Sequence, residues 1–70
     1  MRRKKLDYSN FRFEELTREF IHSARDREML IKFYVDDATL DELCELYHLS
    51  LTQVKRIVYN GGDIVFKHMN

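Results

Sequence analysis

Apolar residues recur along this chain at helical intervals, and a hydroxyl or amide residue stands where each run begins. Phe13, Leu16 and Phe20 form one stripe, which predicts a first helix over about 11–22 with Asn10 as its cap. Met29, Leu30, Phe33 and Tyr34 follow Ser23; Leu40, Leu43, Cys44 and Tyr47 follow Thr39; Val54, Ile57 and Val58 follow Ser50. In Ser23-Ala-Arg-Asp26, Thr39-Leu-Asp-Glu42 and Ser50-Leu-Thr-Gln53, the hydroxyl can accept from an orphan amide at the helix start. The residue three positions on can return the bond, aspartate being a shorter and weaker version. Proline is absent and Gly61 and Gly62 are the only glycines, so most of the chain is free to be helical. Asn60-Gly61-Gly62 reads as a helix stop, after which the tail forms a short last helix or, alternatively, an edge strand. The expected fold is all-α, a compact bundle of three to five short helices. A basic flexible arm at 1–8 precedes one helical domain at 9–70.

Two short capped helices joined by about three residues make a helix-turn-helix pattern, placed here at about 39–60. With Leu40 as its first residue, Leu43, Leu49, Val54 and Ile57 take the buried positions and Cys44 the close-packed one. His48 falls at the turn, where glycine is usual because the left-handed backbone region suits it.

The stretch SARDREMLIKFYVDDATLDELCELYHLSLTQVKRIV resembles the fourth region of bacterial sigma factors and the small phage regulators built on it. Arg25-Asp26-Arg27-Glu28 resemble the charged start of the family's helix before the motif. Thr39 to Glu42 resemble the first residues of its motif, and Val54-Lys55-Arg56 its recognition helix. The resemblance implies a stand-alone domain for transcription regulation whose second motif helix enters the major groove of double-stranded DNA.

In that docking Ser50 caps the recognition helix, Leu51, Thr52 and Gln53 face base edges, and Arg56 lies one turn on. Gln53 would pair with adenine and Arg56 with guanine, while Leu51 would meet a thymine methyl. Lys55 and Tyr59 would touch phosphate, and Arg2, Arg3, Lys4 and Lys5 would lie along the backbone or in a minor groove. Capping and base reading compete for Gln53.

Composition narrows the setting. Seventy residues, 44% apolar and 34% charged, describe one small domain, with an expected stability of about 4–10 kcal/mol. Its nine aromatics are expected to supply much of the core. A single cysteine excludes an internal disulfide, and the chain reads as reduced and cytoplasmic. No apolar run is long enough to span a bilayer.

Net charge is zero, but its distribution is not even. Residues 1–5 carry four positive charges, 36–49 carry five negative and none positive, and 50–70 carry three positive and one negative. Any face that meets DNA must therefore be local. The acidic block, Asp36, Asp37, Asp41, Glu42 and Glu45, opens an alternative: a phage-type inhibitor, such as an anti-CRISPR, that docks on a basic surface of a host polymerase or nuclease.

Ile64, Val65, Phe66 and Met69 either close the core or pair with another copy as a homodimer. No phosphate-cradling glycine loop and no nucleophile with its base are visible, so no enzyme is expected. Cys44 and His48 stand four apart but lack further ligands, so neither metal nor cofactor is expected. His22 and His68 read as surface or helix-end residues.

Overall fold

The computed structural model describes residues 7–69. They form four helices, α1 (Asp7–Phe20), α2 (Ala24–Tyr34), α3 (Leu40–Tyr47) and α4 (Leu51–Met69), with no strand among the described residues. The all-α expectation holds. α1 packs on α2 and α4, α3 packs on the same pair, and α1 and α3 do not meet.

The caps set three of the helix starts. Thr39 Oγ1 accepts from the Glu42 amide at 3.1 Å while Glu42 Oε1 accepts from the Thr39 amide at 2.8 Å. Ser50 and Gln53 make the same reciprocal pair at 3.2 and 3.0 Å. At α2 only half of the device forms. Ser23 Oγ accepts from the Asp26 amide at 3.3 Å, but the Asp26 carboxylate takes the Arg25 guanidinium instead of reaching back.

α1 begins at Asp7, four residues before the expected start. Nothing between residues 7 and 10 breaks a helix, so Asn10 lies inside α1 rather than capping it. The expected arm boundary at residue 8 therefore falls within this helix. The other end comes at Phe20 rather than 22, where Arg27 reaches back from α2 to donate to the carbonyls of Ile21 at 2.8 Å and His22 at 3.2 Å. A side chain thus satisfies carbonyls that the chain leaves open between the two helices.

α4 overturns the expected stop at Asn60-Gly61-Gly62. It runs unbroken for 19 residues, about 28 Å at 1.5 Å per residue, and replaces the short last helix or edge strand. Both glycines are buried and neither has positive φ, so neither acts as a left-handed terminator. They make a notch instead. A Cβ on Gly61 would lie 2.7 Å from Leu30 Cδ1, and one on Gly62 would strike the Tyr34 hydroxyl. That hydroxyl donates to the Val58 carbonyl at 2.9 Å, fastening α2 to α4 at the notch.

The core is more aliphatic than expected. Met29, Leu30, Leu43, Val54, Val58 and Val65 are fully buried, with Leu16, Ile21 and Phe13 nearly so. Phe13 is the one buried aromatic among the described residues. The ring of Tyr34 takes the space over Gly62 at the notch, and other aromatics gather around it. Phe13, Tyr34 and Phe66 meet pairwise with ring centroids 5.2–5.3 Å apart. Within the expected motif Leu43 and Val54 are fully buried, while Leu49, Ile57 and Cys44 are half-buried against the core. At the tail Val65 and Met69 pack on the core, whereas Ile64 and Phe66 stay partly exposed.

Candidate nucleic-acid interface

α3 ends where His48 takes a left-handed conformation, φ 57° and ψ 45°. A non-glycine residue is uncommon there, and histidine is among those that tolerate it. The amides of His48 and Leu49 both donate to the Cys44 carbonyl, which closes the end of α3. Three residues, 48–50, then separate α3 from α4.

The helical period divides α4 into two faces. Val54, Val58, Gly61, Gly62 and Val65 turn to the core. At about 100° per residue, Thr52, Arg56 and Asn60 fall on one outward ridge, with Lys55 and Tyr59 beside it. All five are exposed. Among the described residues no hydrogen bond or ion pair engages the side chains of Lys55, Arg56 or Asn60. Leu51 is 44% exposed at the helix start, and Tyr59 sets its ring edge-on to Phe33 with centroids 6.3 Å apart. Ser50 and Gln53 are exposed too, but their side-chain oxygens are both committed to the cap. Arg2, Arg3, Lys4 and Lys5 lie outside the described residues.

The acidic residues gather elsewhere. Asp41, Glu42, Glu45 and Leu46 form the outward face of α3, and Leu46 is the most exposed of the large apolar side chains described. Asp36, Glu42 and Glu45 line an open groove of ≈ 600 Å³ with Lys32, Ala38 and Leu46. Asp37, at φ 61°, and Asp41 are exposed but do not line it. α4 contributes nothing to this groove, but the charges are not sorted cleanly, since Lys32 lines the groove and Asp26 borders a cleft with Arg56. The first-turn carboxylates Asp41 and Glu42 also suit the positive end of the α3 dipole.

Two tyrosines hold this arrangement from behind. Tyr47 on α3 donates to Glu28 Oε1 on α2 at 2.8 Å. Burial, then this bond and the charge it faces, push the Tyr47 phenol up to about 12. Tyr34 is also raised, by burial first and then by Tyr59 and Asp63.

Sequence reasoning assigned Asn60 to a stop, whereas it belongs to the outward ridge of α4. The signal was present: Val54, Val58, Gly61 and Val65 keep the helical spacing across the glycines. Lys32 and Leu46, both groove residues, were not singled out. Among the described residues no group of three or more His, Cys, Asp or Glu is placed to hold a metal ion, and no helix is long and apolar enough to cross a membrane. Comparison with family models, with curated proteins and with solved structures found no match to this chain.

Proposed function

We propose that α3, its turn and α4 act as a helix-turn-helix, and that the protein is a sequence-specific DNA-binding regulator of transcription. The observation that carries this reading is the open first half of α4. It follows a tight turn and presents Thr52, Lys55, Arg56 and Tyr59 away from the core, with both cations free of partners among the described residues. Such a helix can enter the major groove, where an arginine matches the paired acceptors of guanine. In this role Leu51 and Thr52 meet base edges, Lys55 and Tyr59 touch phosphate, and Arg2, Arg3, Lys4 and Lys5 add backbone contacts. The resemblance to the fourth sigma region supports the same docking.

Fluorescence-anisotropy titration of a random duplex pool at several salt concentrations, with sequencing of the retained fraction, tests it. Five neutralised phosphates, at Arg2, Arg3, Lys4, Lys5 and Lys55, would give a log–log salt slope of about −4.5. Arg56→Ala should relax preference at one base position by about 1–3 kcal/mol, whereas Lys55→Ala should weaken all sequences alike and flatten the slope by about 1. No binding at low salt would end this reading.

The carboxylates Asp36, Glu42 and Glu45 around one groove favour a second reading, in which the α2–α3 groove docks a cationic surface of another protein. Asp36→Lys with Glu45→Lys should then abolish capture of that partner without unfolding the chain, since neither residue serves a cap. Unchanged capture would refute it.

A further inference from the structure

We infer that base specificity on α4 is carried by the ridge Thr52–Arg56–Asn60, and that Gln53 is a cap rather than a reader. The inference rests on the DNA-binding reading and assigns the residues that set specificity within it. Gln53 Oε1 accepts from the Ser50 amide at 3.0 Å, and the Gln53 amide donates to Ser50 Oγ at 3.2 Å. Bidentate pairing with adenine needs that same Oε1 as the acceptor for the adenine amino group, with Nε2 as donor. The cap therefore uses the acceptor half of the pair, and turning it outward leaves the amide of Ser50, the residue that caps α4, without its partner.

Asn60 has the same amide chemistry without the conflict. Its side chain is exposed, and among the described residues nothing bonds it. It stands two i+4 steps from Thr52 with Arg56 between, so the three residues follow one row of the helix. Arg56 and Asn60 also border one small cleft against α2, which places them on the same side of α4. The row is about 12 Å long, a reach of about three to four base-pair steps. Thr52 offers a hydroxyl to either kind of base edge, Arg56 a fork for guanine and Asn60 a fork for adenine.

The test selects bound sequences from a random duplex pool with the unaltered chain, Asn60→Ala, Gln53→Ala and Gln53→Glu, each also followed by thermal unfolding. Asn60→Ala should lose preference at one position by about tenfold with its Tm unchanged. Gln53→Ala should lower Tm and keep the enriched motif. Gln53→Glu retains a residue able to close the cap, so it should keep Tm and the motif while binding every sequence less tightly. A motif that changes in Gln53→Glu, or survives intact in Asn60→Ala, overturns the assignment alone. Failure of the unaltered chain to bind any duplex overturns it together with the reading beneath it.

Discussion

α3 and α4 begin with the same device and then diverge. A hydroxyl and a residue three positions on exchange bonds at each start, Thr39 with Glu42 and Ser50 with Gln53. α3 stops after eight residues at a left-handed histidine and turns carboxylates outward. α4 runs for 19 residues through two glycines and turns Lys55, Arg56 and Lys67 outward. Local chemistry starts both helices, but tertiary packing decides their length. A glycine pair continues a helix where two neighbouring side chains need its space, while a histidine ends one where its amide finds the Cys44 carbonyl. The two outward faces then have room for opposite charges because the helices present them to different parts of the surface.

The sharpest way to break this comparison is to fill the notch. Gly61→Leu would drive a branched side chain into Leu30, which is fully buried. Overpacking of this kind costs about 1–3 kcal/mol and occasionally more. The upper end is expected here because leucine adds three carbons beyond a Cβ that already crowds the buried Leu30 side chain, and it is a large share of about 4–10 kcal/mol. Asn60→Ala, one residue earlier but exposed, should stay within about 0.5 kcal/mol. Urea unfolding of both variants provides the measurement. Equal midpoints would mean that the notch does not set the length of α4.

Much of this architecture was legible in the sequence, and the failures share a cause. Ser23, Thr39 and Ser50 announced their helices because a cap is a bond between residues three apart. The stripe of Val54 and Val58 announced a buried face for the same local reason. Gly61 and Gly62 misled because their meaning lies in Leu30 and Tyr34, about thirty residues away in the chain. The early start of α1 had no cap to mark it, and its end depends on Arg27 reaching back from the next helix. At the candidate site, Lys55 and Arg56 were visible as charges beside an apolar stripe. For Gln53 the sequence holds the competition between cap and reader but not its outcome. Asn60 was lost along with the false stop.

A milder pair of changes sharpens the comparison by removing the shared device. Thr39→Ala and Ser50→Ala should each cost about 1 kcal/mol, since each leaves a first-turn amide without its acceptor. The spread of the damage should differ. α3 has only two turns, so amide exchange should quicken along all of it in Thr39→Ala. α4 is held along its length by Val54, Val58 and Val65, so Ser50→Ala should quicken only its first turn. Exchange quickening as far as Val65 in Ser50→Ala would contradict the view that packing sustains α4.

The smallest expected effect separates the two tyrosine ties, Tyr47 from α3 to α2 and Tyr34 from α2 to α4. Both phenols are raised above 10.0, Tyr47 to about 12, by burial first, and then by the Glu28 bond and charge at Tyr47 and by Tyr59 and Asp63 at Tyr34. Below pH 10 Tyr47 is protonated in folded and unfolded chains alike, and its contribution is fully present. Between 10 and 12 the unfolded chain has released the proton while the folded chain still holds it, so stability falls as pH rises. Above 12 the contribution is gone. Tyr47→Phe should therefore be less stable at neutral pH and lose less over that interval, as urea midpoints measured against pH would record. Part of the slope should remain in this variant, because Tyr34 shifts in the same direction on the α4 side. If the full slope remained, α3 would not be tied through Glu28, and α4 alone would account for the alkaline loss.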